Sequence, residues 1–495
     1  MGKSFFRALP LIMMVFFPLG HSDLCTHFDL YRGGASQTIV PPRCTSIDLS
    51  NTQMGDEALA SLVEGLRRSP QVTRLLLQRN NIENCQALAD LLPTSNITEL
   101  HLSSNFVGDS GAMALSAALS DDRTRCKELH LANNGIGSIG STQLARSLKH
   151  NAHLETLTLS YNNAVGDDFA ISLSHALKSG CQLRDLHAVR TTIGNAGAAA
   201  FGDALSSNPP LQVLALDMSS VDDDGAVGLA RGLQNTKHLR ELRLGGMSAR
   251  ASESAAVDQD LSLQRIGDEG VRAIADSLRR GQGVLEVLDL SRGNVGDVGA
   301  AALAEYMKAD SSLKILRLQD NKIGDEGARM LAHALQKHGV LEEMHLRHNS
   351  IHTEGGVAML AALRSNPRMH QLVLYDNSVD AITQDRIRDL LHSDGASRLE
   401  VAAQERSIIH MEAPAPHESL QAVLEELERC EIGHTFASLC EEMGVQEAAD
   451  LEAIEPGDLH ASSMTARVRT ELIECICASD LATIAHALCD DHREL

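Results

Sequence analysis

The chain has 495 residues, and 43 Lys and Arg residues against 66 Asp and Glu residues give a net charge of -23 at pH 7. A surface of this sign repels phosphate backbones and anionic lipid headgroups, which argues against nucleic acid as a partner. The chain has no Trp and 3% aromatic residues, which favours a core of Leu, Ala and Val.

Residues 1–22 have the organisation of a secretory signal segment. Lys3 and Arg7 precede an apolar run from Ala8 to Gly20, and small residues stand at the spacing of a cleavage site. The run is too short for a membrane span. We therefore predict a secretory route; a buried N-terminal segment or a misassigned start codon is the alternative.

Residues 23–43 are predicted to cap the structure that follows. Cys25 lies in this segment and Cys44 comes directly after it, so a disulfide between the two is expected if the chain is secreted. Cys44 and Cys126 each open a repeat, at a position where a thiol acts as a small core hydrophobe. The sequence has no CxxC pair, so the cysteines predict no zinc site.

One pattern, LxxLxLxxNxΦ with Φ apolar, recurs twelve times between Cys44 and Val379, mostly at a spacing of 28 residues. A period of this length indicates one supersecondary unit that stacks on copies of itself until a continuous core forms. The predicted fold class is therefore an α/β solenoid. The copies begin at Cys44, Val72, Ile97, Cys126, Leu154, Leu183, Leu211, Leu239, Leu285, Leu313, Leu341 and Met369.

Each copy predicts a strand, a turn, a helix and a return loop. The LxL step alternates like a short strand, and Ala328, Leu331 and Leu335 share one face of a helix. Asp325 precedes that face as the predicted N-cap, inside the recurring segment GDEG. Stacked copies place the strands in one parallel sheet and the helices on the other side. Because helices are wider than the strand spacing of about 4.8 Å, the stack must bend, and the sheet then lines its concave side.

The ninth position of the pattern is mainly Asn, at the turn that leaves the strand. An inward amide there can satisfy backbone groups that no regular ladder reaches, so these residues are predicted to be structural and not catalytic. They are Asn80, Asn105, Asn134, Asn162, Asn321, Asn349 and Asn377.

The pattern resembles the ribonuclease-inhibitor class of leucine-rich repeats over residues 44–397. This class includes the ribonuclease inhibitor, the Ran GTPase-activating protein and the C-terminal arrays of nucleotide-binding immune receptors. The resemblance implies a right-handed horseshoe with parallel strands inside, helices outside and a protein bound along the concave strands. It also implies two alternatives: a cytoplasmic location, as for most of the class, and activation of a small GTPase. The leading and alternating cysteines of the inhibitor itself are absent from this sequence.

The eighth unit departs from the period. From Leu239 to Leu285 it spans 46 residues, and the extra residues form a polar insertion near 245–265. A disordered segment and a binding loop are both consistent with its low hydrophobicity and its place at the rim of the sheet.

The repeat ends before the C-terminus. Residues 398–418 are predicted to be a cap and linker, and 419–495 a small all-α module. The run LCEEMGVQEAADLEAIEPGDLHASSMTARVRTELIECI resembles the later part of a sterile alpha motif domain. This resemblance implies self-association, so a homo-oligomer through 419–495 and a signalling-adaptor function are further alternatives.

The predicted binding surface consists of residues that lie between the inward leucines. The slot inside LxL holds four His residues, and the position two residues earlier holds an acid in the same copies. Such histidines are expected to gain charge below about pH 6.5 and so to tune the affinity for a partner, whereas a solvated face without a partner is the alternative. The predicted partner-binding residues are Glu99, His101, Glu128, His130, Asp185, His187, Arg190, Arg317, Glu343, His345, Arg347 and Tyr375.

Signatures of catalysis are missing from the sequence. GKS at 2–4 lacks the Gly-rich residues of a phosphate loop, and the HExxH, GxSxG and kinase motifs do not occur. Within one repeat, ExH supplies two donors and no closed metal shell, so neither metal ligands nor a cofactor is predicted. We therefore predict a non-catalytic protein-binding scaffold.

Overall fold

The computed structural model describes residues 24–26, 31–33, 37–246, 265–281, 283–310 and 312–392. The signal-like segment, most of the insertion near 245–265, the linker and the helical module at 419–495 lie outside the described residues. Predictions about those segments therefore stay predictions.

Short parallel strands form one continuous sheet, as the repeat pattern predicts. Apart from the two edge strands, each strand pairs with the strands of the units before and after it, so the order in the sheet follows the order in the sequence. Within the described residues this sheet has thirteen strands. They are β1 (Leu24–Thr26), β4 (Ser46–Asp48), β5 (Arg74–Leu76), β6 (Glu99–His101), β7 (Glu128–His130), β8 (Thr156–Thr158), β9 (Asp185–His187), β10 (Val213–Ala215), β11 (Glu241–Arg243), β12 (Val287–Asp289), β13 (Ile315–Arg317), β14 (Glu343–His345) and β15 (Gln371–Val373). Two further strands, β2 (Tyr31–Gly33) and β3 (Gln37–Ile39), form a separate antiparallel pair.

One helix follows each strand from β4 onward, which gives the alternation of an α/β solenoid. The helices are α1 (Asp56–Leu66), α2 (Gln86–Leu91), α3 (Gly108–Leu119), α4 (Ser138–Ser147), α5 (Asp167–Lys178), α6 (Asn195–Leu205), α7 (Asp223–Leu233), α8 (Asp268–Arg280), α9 (Asp297–Ala309), α10 (Asp325–Lys337), α11 (Thr353–Ser365) and α12 (Ala381–His392). Helix α2 is short because a 3-10 turn that contains Pro93 follows it. No described helix combines the length and the apolar character needed to span a membrane.

The core lies between the sheet and the helices. The central residue of each strand from β4 to β14, such as Leu100, Leu129 or Leu316, is fully buried. On the helix side, Ala328, Leu331 and Leu335 of α10 are fully buried as well, as their spacing predicts. Leucines from consecutive units therefore form one hydrophobic column along the array.

The recurring turn amides join neighbouring units, which confirms their structural role. The Nδ2 of Asn105 donates to the carbonyl oxygens of Leu77 at 3.0 Å and Leu102 at 2.8 Å. Its Oδ1 accepts the backbone N–H groups of Asn80 at 3.1 Å and Ile82 at 3.2 Å. Similar bridges to the preceding unit occur at Asn80, Asn134, Asn162, Asn321, Asn349 and Asn377.

The prediction that Asp325 is the N-cap of its own helix is wrong. The N-cap of α10 is Gly324, and Asp325 is the first helical residue. The Oδ1 of Asp325 instead accepts the backbone N–H groups of His352 at 2.8 Å and Gly355 at 2.9 Å, at the start of the next helix. One acid thus caps the helix of the following unit. The same relay occurs at Asp109, Asp167, Asp223, Asp268 and Asp297.

The N-terminal edge of the sheet carries a strand that the repeat pattern does not reveal. Strand β1 pairs in parallel with β4, and Cys25 aligns with Ile47. Cys25 and Cys44 form a disulfide with a Cα–Cα distance of 5.6 Å, and both residues are buried. The extra strand therefore covers an edge that would otherwise expose unpaired backbone groups. Cys126 is a buried free thiol, as its position in the pattern predicts.

Candidate protein-interaction surface

The outward side chains of strands β4–β15 form one surface, which we call the strand face. In most of these strands the first and third residues are partly exposed, whereas the second is buried. The parallel register aligns Glu99 with Glu128 and His101 with His130. Residues at equivalent positions of the repeat therefore form columns that run across the strands.

The first two His-containing repeats bring their side chains into direct contact. The rings of His101 and His130 stack with their centroids 4.1 Å apart, as their places in consecutive repeats predict. The Nε2 of His130 lies 3.5 Å from the carboxylate of Glu128, and its Nδ1 lies 3.1 Å from the Oγ1 of Thr158. Glu99 forms an ion pair with Arg74 on the neighbouring strand. This part of the strand face is a packed group of carboxylates and imidazoles.

The expected gain of histidine charge below pH 6.5 does not hold for two of the four histidines. Burial and the adjacent ring of His130 lower the pKa of His101 to about 4, although Glu99 acts in the opposite direction. Burial likewise lowers the pKa of His187. The position of a histidine in the sequence does not show how deeply its ring is buried. The expected gain of charge below about pH 6.5 applies to an exposed histidine.

Asp185 and His187 are separated from the other acid and histidine pairs. The strand before them carries Thr156 and Thr158, and the Oγ1 of Thr156 lies 3.2 Å from the carboxylate of Asp185. The strand after them carries the apolar residue Ala215 next to His187. The column of acids and histidines across the strands is therefore interrupted at β8 and β10.

The C-terminal repeats form a second polar group. Glu343 lies between two histidines, at 3.4 Å from the Nε2 of His345 and 3.6 Å from the Nε2 of His370. Next to it, the guanidinium of Arg347 pairs with Asp376 at 2.9 Å and lies 4.9 Å from the centre of the Tyr375 ring. The ring of Tyr375 is 52% exposed.

Arg190 lies just beyond strand β9, at the position that precedes the ninth residue of the pattern. Its φ angle is 55°, in the left-handed region, and its guanidinium lies 5.8 Å from the centre of the exposed Tyr161 ring. Arg79, Arg292 and His348 adopt the same left-handed conformation in their repeats. This turn conformation fixes how the side chains leave the end of each strand.

Comparison with known proteins identifies the repeating unit. A family model described as "Leucine Rich repeat" matches residues 95–116, 150–174, 284–304 and 309–332. Each matched segment includes one strand of the parallel sheet and part of the helix that follows it. The described array therefore contains leucine-rich repeats, within a solenoid of parallel strands that alternate with helices.

Two solved structures are similar to this solenoid at low sequence identity. One is leiomodin-1 actin-binding site 2, with 16% identity, a TM-score of 0.27, and coverage of 39% of this chain and 97% of that chain. The other is an internalin from Listeria monocytogenes, with 15% identity, a TM-score of 0.41, and coverage of 71% and 85%. Neither similarity assigns a partner to this chain. No curated protein matches the sequence.

The sequence pattern missed a third polar group, in the centre of the leucine-rich repeat array. Asp217, two residues after β10, and Asp289, the last residue of β12, are only 7% and 5% exposed. Asp217 pairs with Arg243 at 2.8 Å, and Asp289 lies 3.8 Å from Arg317. The signal was present in the sequence, because Asp289 occupies the slot inside LxL that holds His in other repeats.

Burial and the neighbouring Asp289 raise the pKa of Asp217 to about 6, although Arg243 and the backbone N–H of Gly245 favour its charged form. Gly245 lies at the root of the insertion and donates to Asp217 at 3.1 Å. The leucine-rich repeat array thus separates the predicted binding residues into groups. Arg317 belongs to the central group and aligns with His345 on the next strand, whereas the residues around His101 lie several strands away.

Proposed function

We propose that this leucine-rich repeat array is a non-catalytic scaffold that binds a protein partner across its strand face. The observation that carries the proposal is the pair Arg347 and Tyr375, an exposed aromatic ring held against a guanidinium at 4.9 Å. Tyr and Arg are the residue types that most often contribute the largest share of binding energy at protein interfaces.

The construction of the strand face supports the same proposal. The buried second residue of each strand belongs to the core, whereas the first and third residues of most strands are partly exposed. Because each strand from β4 to β14 pairs with two neighbours in a fixed register, these outward side chains are held on a rigid support. A preorganised surface loses little conformational entropy when a partner binds.

The charges of the strand face favour a partner with a mixed polar surface. Acids, histidines and arginines alternate over short distances, as in the ion pair of Arg74 with Glu99 and the contacts of Glu343 with His345 and His370. Such a surface selects partners by complementary charge more than by buried apolar area. We include all twelve residues named from the sequence, from Glu99 to Tyr375, in this proposed surface.

Parallel affinity capture with three baits tests the proposal. The baits are the full chain, the variant Arg347→Ala/Tyr375→Ala, and the control variant Glu326→Ala/Arg329→Ala, which removes an exposed ion pair from α10 on the helix side. We expect the full chain and the control to retain the same protein. The strand-face variant should bind it about 30-fold more weakly, which corresponds to about 2 kcal/mol at a hot spot.

The contrasting result is equally specific. If all three baits retain the same protein with equal affinity, its binding site lies outside the C-terminal part of the strand face. If the helix-side control alone loses the protein, the helices would be the binding surface, and the proposal would be wrong.

The alternatives predicted from the sequence have separate tests. Activation of a small GTPase would appear as faster GTP hydrolysis on addition of the chain. Self-association through 419–495, which lies outside the described residues, would appear as a solution mass that falls when this segment is removed. Both stay predictions.

A further inference from the structure

We propose that His101, Glu128 and His130 form a binding site for a divalent transition-metal cation of the Zn²⁺ class. One ligand atom from each of these three side chains lies within 4.8 Å of the other two. Among the described residues, no other set of His, Cys, Asp and Glu side chains meets this criterion. Two imidazoles and one carboxylate are a donor set that Zn²⁺ accepts readily.

The site arises from the pairing of two repeats. A single repeat supplies two donors, Glu128 and His130, which is why the sequence alone predicts no metal shell. The parallel register of β6 and β7 aligns His101 directly with His130 and so adds a third donor from the preceding repeat. The next strand ends the group, because Thr156 and Thr158 occupy the equivalent positions.

A neighbouring hydroxyl orients the central imidazole. The Nδ1 of His130 lies 3.1 Å from the Oγ1 of Thr158, and when Nδ1–H donates to this oxygen, the lone pair stays on Nε2. The Nε2 is buried and has no hydrogen-bond partner within the part of the chain that the structure describes. Its nearest acidic group is the carboxylate of Glu128 at 3.5 Å. A cation bound between this unpartnered nitrogen and the carboxylate would satisfy both groups.

The fit requires side-chain movement only. A tetrahedral shell with metal–ligand distances near 2.1 Å places its donor atoms about 3.4 Å apart, so the three side chains must close by up to about 1.4 Å. Rotation about the side-chain torsions of exposed or half-buried residues provides this movement. Three protein ligands leave a fourth position open, and since all three side chains belong to the strand face, water or a side chain of a bound protein can occupy it.

Calorimetric titration of the chelator-treated full chain with Zn²⁺ tests the site. The variant His101→Ala/His130→Ala should bind one equivalent less than the wild type. The matched control His345→Ala/His370→Ala removes two imidazoles that flank Glu343 and should keep the wild-type stoichiometry. Comparison between variants also removes the contribution of cysteines elsewhere in the chain.

Two conservative variants keep the test decisive if the double alanine variant does not fold. Glu128→Gln removes the charged donor at constant size, and Thr158→Val removes the hydroxyl that orients His130. We expect each to bind Zn²⁺ at least about tenfold more weakly than the wild type. Wild-type stoichiometry and affinity in Glu128→Gln, or an equal loss in the His345→Ala/His370→Ala control, would overturn the proposal. This test reads Zn²⁺ binding alone, so its outcome is independent of whether a protein partner binds the strand face.

Discussion

The backbone N–H of Gly327 donates to the Oδ1 of Asp297 in the preceding repeat at 3.0 Å. The same oxygen accepts the N–H of Gly324 at 2.7 Å, so one carboxylate satisfies two groups at the start of α10. A Cβ atom at position 327 would lie 2.6 Å from this oxygen. The second glycine of GDEG therefore makes room for an acid that belongs to another repeat.

Replacement of Asp297 by Ala should lower the free energy of unfolding by about 1–2 kcal/mol, because a helix N-terminus loses its cap. Gly327→Ala should destabilise the chain as well, since the added methyl group displaces the carboxylate. Urea denaturation followed by circular dichroism measures both effects. Glu326→Ala, in the same turn but exposed, should change the stability by less than about 0.5 kcal/mol. Equal effects of Asp297→Ala and Glu326→Ala would contradict the relay.

The sequence predicted the repeating part of the fold well, because its signal is periodic and local. Burial of Leu316 and bridging by Asn105 follow from positions within one repeat. The errors concern contacts between repeats. Asp325 caps a helix 28 positions further on, and Asp289 is buried against Arg317 of the next strand. A period reveals which residues are equivalent, but the side-chain distances across the register decide which of them interact.

The buried leucine column gives a second prediction. Leu316→Ala should cost about 2–5 kcal/mol, because a cavity forms between the sheet and the helices. Lys322→Ala, at an exposed position in the same repeat, is the matched control and should be close to neutral. The adjacent Arg317 is a poor control, since it lies 3.8 Å from the buried Asp289. Thermal unfolding of both variants measures these effects. A Leu316→Ala variant as stable as the wild type would show that Leu316 does not belong to the core.

The disulfide at the N-terminal edge gives a third prediction. Cys25 and Cys44 are separated by 19 positions, and closing a loop of this length stabilises a fold by about 3 kcal/mol. The variant Cys25→Ala/Cys44→Ala should lose about this amount in a denaturation experiment. A reducing agent should destabilise the wild type and leave the variant unaffected. Identical melting of the wild type with and without reductant would show that the bond does not stabilise the array.

The central acidic pair predicts a pH dependence of stability. The pKa of Asp217 is raised to about 6 in the folded chain, against about 3.9 for an unfolded Asp, so the folded state binds this proton more tightly. Its contribution to stability is complete below about pH 4 and is lost as the pH rises through about 6, at a cost of about 3 kcal/mol.

The variant Asp217→Asn isolates this contribution, because the other charged groups around it, Asp289, Arg243 and Arg317, stay in place. Unfolding free energies measured between pH 4 and pH 7 should show a smaller decline with rising pH in the variant than in the wild type. The same change at the exposed Asp385 serves as the control and should leave the wild-type slope unchanged. Parallel pH curves for wild type and Asp217→Asn would rule out a protonated Asp217.

Hydroxyl-radical footprinting of the chain with and without its captured protein tests the proposed binding surface most directly. Tyr375 on the strand side and Met113 of α3 on the helix side are both reactive residue types with exposed side chains, at 52% and 42%. Binding across the strand face predicts that Tyr375 loses reactivity in the complex while Met113 keeps it. Protection of Met113 with an unchanged Tyr375 would contradict the account.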